Sequence, residues 1–303
     1  SKAGDTMSQY ICVDIGGTSI KHGVLDENAI IKECNQTKTE AWLGGAAVLN
    51  KVKTIGKQYK EQYENIEGIC ISTAGMVDPE EGKIVFAGEL MPGYTGTCIK
   101  KELEKALEMP CEVENDVNCA GLAEYVSGSA KESHIMFCAT VGTGIGGCAI
   151  VNGRVFHGAS NSACEVGYIP MGDSDFQTLG ASSILVRKVA EKKIEPLDMW
   201  DGKKIFALAE KGDKVCISAI KEMCDVLGKG LATICYVLNP DTIVLGGGIM
   251  VQKKILENEI RDSLNRYLRP ILAEHLQVCF AEYGNEAGMV GALYNFQNKY
   301  GRK

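Results

Sequence analysis

The sequence predicts an α/β protein of two domains with a central cleft. Its 303 residues are about twice the roughly 150 residues of a typical domain. Apolar runs of strand length alternate with segments of helical periodicity, a pattern typical of α/β folds. A strand–glycine loop–strand unit near the start recurs at 134–151, which indicates an internal duplication with a cleft between the halves. The predicted domains are residues 1–118 with 286–303, and residues 119–285.

The individual elements follow from periodicity and from glycine, proline and asparagine turn signals. In the first half, strands are predicted at 10–15, 20–25, 30–31, 66–73 and 111–114, and helices at 44–63, 99–107 and 117–126. In the second half, strands are predicted at 134–141, 148–151, 155–156, 242–245 and 277–281, and helices at 181–192, 203–210, 214–237, 250–268 and 286–298. Asn152-Gly153 predicts a tight hairpin.

Composition excludes several classes of protein. The 32 basic and 39 acidic side chains give a net charge of −7, which argues against nucleic acid or an anionic membrane as the main partner. The 13 cysteines include no C-x-x-C pair, which favours reduced, mostly buried thiols in a cytoplasmic protein. No apolar run approaches the roughly 20 residues that span a bilayer. His22, His134, His157 and His275 are scattered, and each is expected to be a surface or packing residue.

Two glycine loops need an explanation. Gly142-x-Gly144-x-x-Gly147 matches the dinucleotide fingerprint, with Glu165 near the place of the ribose-binding acid. That fingerprint requires a helix to begin at the glycines, and the residues that follow here predict a hairpin instead. The first loop, 16–21, lacks the second glycine that a Walker A loop has before its lysine. Neither standard nucleotide motif therefore fits.

The two loops can instead offer backbone N–H groups and a threonine hydroxyl, Thr18 or Thr143, to phosphate oxygens. Glycine is expected there because a Cβ would block the phosphates and forbid backbone with positive φ. Asp14, at the end of the first strand, would hold Mg²⁺ between the phosphates. Each loop taken alone could equally be a plain tight turn, but two loops at matching places weaken that alternative.

Asp116 lies between a predicted strand and a predicted helix, where its carboxylate can project into the cleft. Phosphoryl transfer needs a carboxylate to accept a hydroxyl proton. The alternative is that Asp116 is the helix N-cap, a common role for aspartate at such a boundary. Position alone favours the cap.

Four motifs together resemble one family. Asp14-Ile-Gly-Gly-Thr-x-x-Lys21, Glu114-Asn-Asp116, Val141-Gly-Thr-Gly-Ile-Gly-Gly147 and Glu165-Val-Gly167 occur in the order and spacing of the ROK sugar kinases. Those belong to the actin/hexokinase-like superfamily, and the resemblance runs from about Tyr10 to the end. It implies a two-domain actin-like/ribonuclease H-like ATPase fold with duplicated β-hairpin glycine loops. It also implies a transferase of carbohydrate metabolism that phosphorylates a sugar, usually at C6, with ATP and Mg²⁺.

The resemblance implies a role for each matching residue. Asp116 would be the catalytic base, and Asp14 would bind Mg²⁺. The remaining residues implied to bind ATP are Gly16, Gly17, Thr18, Lys21, Gly142, Thr143, Gly144 and Gly146, with Gly247 and Gly248 against adenosine. Those implied to bind sugar are Gly75, Asn115, Asp116, Glu165 and Tyr168. Lys21 could equally be a solvent lysine. The implied partners are ATP, a small sugar and a second copy in a homodimer, without nucleic acid or membrane.

The chain departs from the family pattern in three places. Tyr168 stands where the family usually has histidine, and no cysteine lies between Cys164 and Cys216, where the family keeps its zinc ligands. A structural zinc is therefore expected to be absent. Gln177 stands near the place of the family's last sugar-binding glutamate. Tyr168 could reach a sugar hydroxyl, or it could be a buried aromatic whose hydroxyl is satisfied locally.

The sugar is predicted from further segments. Residues 72–78, 87–88 and 92–97 look most like the zinc-lacking bacterial N-acetylmannosamine kinases, which also have Glu-x-Gly-Tyr. Glucokinases and β-glucoside kinases without zinc share that feature and remain alternatives. The segment Glu89-Leu-Met-Pro-Gly-Tyr94 is altered from the family's usual sugar-contacting segment, which puts a contact from it in doubt.

Members of the family that do not catalyse a reaction are a further alternative. A sugar-responsive repressor would carry a DNA-binding segment for which the position of Asp14 leaves no room. A non-catalytic sugar sensor is expected to lose Asp116 or the glycine loops, and the sequence has both.

Overall fold

The computed structural model describes residues 7–300, and their contacts divide the chain into two compact units. Unit 1 contains residues 7–126, 157–162 and 285–300, and unit 2 contains residues 127–156 and 163–284. Residues 119–126 and 157–162 thus group with unit 1, whereas the sequence prediction placed them in the second domain. Close packing explains the first difference, because a Cβ at Gly291 would lie 1.8 Å from the Cys119 carbonyl oxygen.

Fourteen strands and ten α-helices form the described part of the chain. The first half contains β1 (Gln9–Ile15), β2 (Ser19–Asp26), β3 (Ile31–Lys38), α1 (Gly45–Gln62), β4 (Ile66–Thr73), β5 (Met76–Asp78), β6 (Lys83–Phe86), α2 (Ile99–Leu107), β7 (Cys111–Asn115) and α3 (Asp116–Ser127). The second half contains β8 (Ile135–Val141), β9 (Ile145–Val151), β10 (Arg154–Val155), β11 (Pro170–Met171), β12 (Ser174–Asp175), α4 (Phe176–Gly180), α5 (Ser182–Lys193), α6 (Gly202–Glu210), α7 (Lys214–Leu238), β13 (Thr242–Gly246), α8 (Lys253–Tyr267), α9 (Pro270–Ala273), β14 (Gln277–Phe280) and α10 (Ala287–Tyr300).

The main sheet of each unit has the same plan. The sheet of unit 1 has the order β3-β2-β1-β4-β7, and that of unit 2 has the order β10-β9-β8-β13-β14. In each, three antiparallel strands continue into two parallel ones. A glycine loop joins β1 to β2 in unit 1, and another joins β8 to β9 in unit 2. The predicted internal duplication is therefore confirmed at the level of topology.

Helices cover the sheets through apolar side chains at helical spacing. In α1 the buried stripe is Val48, Val52, Ile55 and Tyr59, which packs in the core of unit 1. Unit 2 has its own core, in which α7 contributes a long buried stripe. The helix α10 returns to unit 1, where Phe296 lies against Gly68 of β4.

Several local predictions need correction. The third strand is longer than predicted and carries mostly exposed polar residues, so it had no apolar signal. The helix predicted at 250–268 is a 3₁₀ turn, Gly248–Val251, followed by α8. The β5–β6 hairpin was not predicted, because its strands are very short. Asn152 and Gly153 form the predicted hairpin turn, both with positive φ.

All 13 cysteines are free thiols, and most are buried, as predicted. No helix formed by residues 7–300 combines the length and the apolar character that crossing a bilayer requires.

Candidate active site

The first glycine loop, residues 16–18, joins β1 to β2. Two of its carbonyl groups accept hydrogen bonds from Thr39, one from the side chain and one from the backbone N–H. Thr39 is fully buried; its Oγ1 donates to the Gly16 carbonyl oxygen over 2.7 Å, and its N–H donates to the Thr18 carbonyl oxygen over 2.9 Å. The exposed N–H groups of Gly17 and Thr18 have no hydrogen-bond partner among residues 7–300. Such outward amides can bind an anion.

The second glycine loop, residues 142–144, joins β8 to β9 and is held in the same way. Ser182 Oγ donates to the Gly142 carbonyl oxygen over 2.8 Å, and Ser183 Oγ donates to the Thr143 carbonyl oxygen over 2.7 Å. Within the described part of the chain, the Thr143 N–H has no acceptor. In both units, therefore, at least one loop carbonyl accepts a hydrogen bond from a hydroxyl group, and at least one loop amide has no acceptor among residues 7–300.

The hairpin form of the second loop is confirmed, because β9 runs straight through Gly146 and Gly147 and no helix begins there. The expectation of positive φ was wrong: the glycines of both loops lie outside that region. Close approach is the physical reason for glycine at some of these positions, although a Cβ at Gly17 or Gly142 would meet no atom within 4 Å. A Cβ at Gly16 would lie 2.9 Å from the Ser19 carbonyl oxygen, and one at Gly147 would lie 2.6 Å from the Phe137 ring.

Asp14 is a half-buried carboxylate at the end of β1. Ser72 Oγ donates to Asp14 Oδ1 over 2.8 Å, and Lys21 is its partner across the β1–β2 hairpin. Burial raises the pKa of Asp14, while the Ser72 hydrogen bond and the Lys21 charge act in the opposite direction. Because Lys21 is half-buried and faces Asp14, it differs from an ordinary solvent lysine.

The first turn of α10 lies directly against Asp14. A Cβ at Gly288 would lie 2.4 Å from Asp14 Cγ, so only glycine permits this approach. No local sequence signal marks Gly288 or Ser72 as a neighbour of Asp14. An oxygen ligand beside outward amides suits Mg²⁺ bound to phosphates, and the residues present at Asp14 therefore fit that ion.

The corner between β7 and α3 settles which residue caps the helix. Asn115 Oδ1 accepts the N–H groups of Val117 and Asn118 at 2.9 and 3.1 Å, which is the bonding pattern of an N-cap. Asp116 is the first residue of α3, and its Oδ1 accepts the adjacent Val117 N–H at 2.9 Å. The cap is therefore Asn115, and Asp116 occupies the first helical position. Asn115 Nδ2 donates to the Gly75 carbonyl oxygen over 2.7 Å.

Two further residues brace this corner: Glu114, which the sequence offered only as part of a motif, and His157, for which no role at the site was predicted. Glu114 is buried, and its Oε2 lies 2.6 Å from Nε2 of His157. His157, expected to be a surface or packing residue, is partly buried and paired with this carboxylate. The available signal was a glutamate that ends a buried strand, because such a charge needs a partner.

Tyr94 lies beneath the same corner. It is buried, and its hydroxyl lies 2.6 Å from Thr73 Oγ1. Burial raises the pKa of Tyr94, and the negative charge of Asp116 acts in the same direction. The aromatic residue of the altered segment is thus a packing group near Asp116, with its hydroxyl engaged by Thr73.

In unit 2, Glu165 precedes a short 3₁₀ turn, Val166–Tyr168, and Tyr168 is its last residue. Tyr168 is 57% exposed, so the alternative of a buried aromatic was wrong. Its hydroxyl has no hydrogen-bond partner within residues 7–300. Loss of surrounding water raises the pKa of Glu165, although much of its side chain remains exposed. Both side chains are thus accessible to a polar ligand.

Gln177 supports the second loop from below. Its Oε1 accepts the Ile145 N–H over 3.3 Å. A Cβ at Gly144 or at Gly167 would lie 2.6 or 2.5 Å from the same oxygen. The place that resembles a sugar-binding glutamate therefore holds an amide wedged between the loop and the turn after Glu165.

The turn at Gly246–Gly248 packs on the end of β8. Gly247 has φ 100°, and a Cβ there would lie 2.2 Å from the Val141 carbonyl oxygen. Nearby, a cavity of about 420 Å³ is lined by residues of the second loop, α5, α6 and this turn, including Thr143, Ser183, Gly202 and Gly248. The cavity and the outward amide of Thr143 are therefore continuous features of one surface of unit 2.

Metal ligands of the zinc type are not grouped in the described structure. Across residues 7–300, no cluster of three or more histidine, cysteine, aspartate or glutamate side chains could hold a metal ion.

Comparison with known proteins connects these features to a family. The model of the ROK family matches residues 10–299. A β-glucoside kinase of Klebsiella pneumoniae is 30% identical over 95% of this chain and 95% of its own length. A solved Listeria monocytogenes structure, described as a candidate N-acetylmannosamine kinase, is 28% identical with a TM-score of 0.87 over 96% of this chain and 99% of its own. A ROK family glucokinase from Streptomyces griseus, solved with glucose and AMPPNP, is 27% identical with a TM-score of 0.81 over 95% of this chain and 98% of its own.

These matches cover nearly the whole chain, including both glycine loops and the corner at Asp116. They extend to the backbone, since the solved Streptomyces griseus glucokinase matches this chain with a TM-score of 0.81. The predicted family and the predicted actin-like α/β fold are thereby confirmed. The duplicated sheets, the two loops held by hydroxyl groups and the family match together establish that the chain belongs to the ROK family of sugar kinases.

Proposed function

We propose that this sugar kinase transfers the γ-phosphoryl group of ATP to the C6 hydroxyl of a hexose or N-acetylhexosamine, with Asp116 as the general base. The observation that carries the proposal is the position of Asp116. Asn115 supplies the helix cap, so capping does not account for the aspartate beside it. A carboxylate at the first position of a braced helix is suited to accept a proton from a bound hydroxyl.

The outward amides of Gly17, Thr18 and Thr143 would bind the phosphates of ATP, because they have no acceptor within residues 7–300. Asp14 would hold Mg²⁺, which neutralises negative charge on the phosphates. The hydroxyl groups that hold the loop carbonyls keep these amides in place before the nucleotide binds. Preorganised donors of this kind stabilise developing charge without reorganisation. The cavity beside Gly248 would take the adenosine.

The sugar would be bound by polar side chains. Asn115 is fixed by its contact with Gly75, and Glu165 and Tyr168 are accessible in unit 2. Hydroxyl groups that pair with such side chains can be distinguished from analogues that lack them. Asp116 then accepts the C6 proton as the oxygen attacks the γ-phosphorus in line.

N-acetylmannosamine is our proposed sugar. The similarity to the Listeria monocytogenes protein supports it, together with the resemblance in residues 72–78 and 92–97. Glucose or a β-glucoside is the alternative, favoured by the Klebsiella pneumoniae and Streptomyces griseus relatives. The named relatives therefore divide between these substrates.

A coupled ADP-release assay tests the substrate. The panel is N-acetylmannosamine, glucose, N-acetylglucosamine, fructose and cellobiose, each with ATP and Mg²⁺. We expect the highest kcat/KM with N-acetylmannosamine. Turnover of glucose or cellobiose alone would reject our substrate, and ADP release with none of the five sugars would favour a protein that only binds sugar.

The base is tested with Asp116→Asn, which is expected to lower kcat by ~10²–10⁴-fold. Asp173→Asn, at an exposed aspartate of unit 2, is the matched control and should retain full activity. An Asp116→Asn enzyme that keeps more than about a tenth of the wild-type kcat would contradict the assignment.

A further inference from the structure

Glu114 is a buried carboxylate whose two oxygens are both engaged. Its side chain is 1% exposed. Oε1 accepts the Asn115 N–H at 2.8 Å and Asn118 Nδ2 at 3.0 Å. Oε2 lies 2.6 Å from His157 Nε2. A buried carboxylate is costly unless it is paired and hydrogen-bonded, so His157 supplies the charge partner for the residue that precedes Asn115 and Asp116.

His157 reaches this corner from a segment that leaves unit 2. Residues 157–162 group with unit 1, whereas the residues on either side, up to 156 and from 163, group with unit 2. Shortly after this excursion the chain reaches Glu165. The pair with Glu114 therefore attaches the segment that precedes one candidate sugar ligand to the corner that carries the candidate base.

We propose that His157 is a positioning residue for phosphoryl transfer: through Glu114 it fixes the corner of Asn115 and Asp116, and it anchors there the segment that leads to Glu165. This inference deepens the proposed function and rests on it for the role of Asp116. His157 acts through Glu114 and touches neither substrate nor nucleotide in this scheme. Its loss should therefore impair alignment rather than remove a reacting group.

The charge of His157 makes the anchor sensitive to pH. Its hydrogen bond to Glu114 raises the pKa of His157, and the charge of Glu80, from the turn before β6, acts in the same direction, whereas burial and the charge of Lys299 on α10 oppose it. The imidazolium form pairs most strongly with the carboxylate. As pH rises through the raised pKa, the charge is lost and the anchor weakens. Activity that depends on the anchor should then decline on the alkaline side.

The kinetic test compares His157→Gln and His157→Phe with the wild type. Glutamine can still donate to Glu114 without charge, whereas phenylalanine cannot donate. We expect His157→Phe to lower kcat by about 10–100-fold, the loss that misplaced catalytic groups cause, and His157→Gln to lose less. Both should lack the decline in kcat/KM that the wild type shows as pH rises through the raised pKa of His157. The matched control is His275→Gln, at an exposed histidine of unit 2.

A purely structural role would lower thermal stability and leave the pH profile unchanged. A His157→Phe enzyme with kcat within about twofold of the wild type and with the same alkaline decline would therefore overturn the proposal. If His157→Phe does not fold, the pH profile of His157→Gln alone tests the proposal: loss of the alkaline decline supports it, and an unchanged decline overturns it.

A second measurement needs no turnover and so separates this inference from the proposed function. In an NMR titration, the His157 imidazole of the wild type should titrate above the ordinary pKa of histidine, and Glu114→Gln should lower its pKa towards that value. Limited proteolysis should cut residues 157–162 faster in His157→Phe and in Glu114→Gln than in the wild type. If the wild type phosphorylates no sugar but these shifts occur, the proposed function fails and the anchor stands. If His157 titrates identically with and without Glu114, the anchor itself is wrong.

Discussion

The side-chain amide of Asn115 donates to the carbonyl oxygen of Gly75 over 2.7 Å, while its oxygen caps α3. One side chain thus joins the end of β7, the start of α3 and the turn before β5. Asn115→Ala removes the cap and leaves the Gly75 carbonyl oxygen without this donor. We expect the free energy of unfolding to fall by about 1–2 kcal/mol, measured by urea denaturation, and kcat to fall because the adjacent Asp116 loses its support.

Asn115→Asp separates the two roles of this side chain. Aspartate is as good an N-cap as asparagine, but it cannot donate to Gly75. We expect Asn115→Asp to keep most of the stability and still lose activity. Wild-type stability in Asn115→Ala would show that the cap contributes nothing at this corner.

Gly288 is a position at which one added carbon atom should change the binding of ATP–Mg²⁺. Alanine in place of glycine inside a helix usually stabilises it by about 1 kcal/mol. Here the added Cβ would lie 2.4 Å from Asp14 Cγ, so the carboxylate must move. We expect Gly288→Ala to raise the KM for ATP–Mg²⁺ by about tenfold or more, as misplacement of a binding group does, without gaining stability.

The control for Gly288→Ala is Gly88→Ala, because no atom lies within 4 Å of the Cβ that it would add. This control should keep the wild-type KM for ATP–Mg²⁺. If Gly288→Ala binds ATP–Mg²⁺ normally and is more stable than the wild type, Asp14 is not confined by α10 as the structure indicates.

The architecture could be predicted because its signals are local. Each glycine loop stands between two apolar runs, and the Asn152-Gly153 turn marks where β9 ends. The duplicated order of strands follows from those repeated runs. Even the motif around Asp116 is contiguous, so a resemblance to a family was visible before any contact was known.

The supports of the site could not be predicted, because they are tertiary contacts. Thr39 binds the first glycine loop, at Gly16, and Ser182 binds the second glycine loop, at Gly142. In each case the two residues are far apart in the sequence. His157 meets Glu114 across a long stretch of chain. No local pattern distinguishes these residues from ordinary surface threonine, serine or histidine. The sequence favoured Asp116 as the helix cap, whereas Asn115 is the cap. Both residue types are good caps, so only the hydrogen bonds distinguish them.

Substitution of Gln177 tests whether this residue supports the second glycine loop or binds the sugar. Its Oε1 accepts the Ile145 N–H and fills the space between Gly144 and Gly167. Gln177→Ala should loosen the second loop and raise the KM for ATP several-fold, with little change in the KM for the sugar. Steady-state kinetics with each substrate varied in turn would measure both constants.

The neighbouring exposed residue gives the control for that experiment. Thr178→Ala removes an exposed side chain on the same helix and should leave both KM values unchanged. A rise in the KM for sugar alone in Gln177→Ala would instead identify Gln177 as a sugar ligand, as its resemblance to the family's glutamate suggested.

Glu165 should make sugar binding dependent on pH. Its pKa is raised by loss of surrounding water, so the carboxylate that accepts sugar hydroxyls is lost at a higher pH than for an ordinary glutamate. The Kd for the sugar, measured by calorimetry without ATP, should therefore increase as pH falls through this raised pKa. Glu165→Gln should bind more weakly at neutral pH and show no such increase, because the amide does not titrate. Glu195→Gln, at an exposed site, should behave like the wild type. An identical acid-side increase in Glu165→Gln would assign the effect to another carboxyl group.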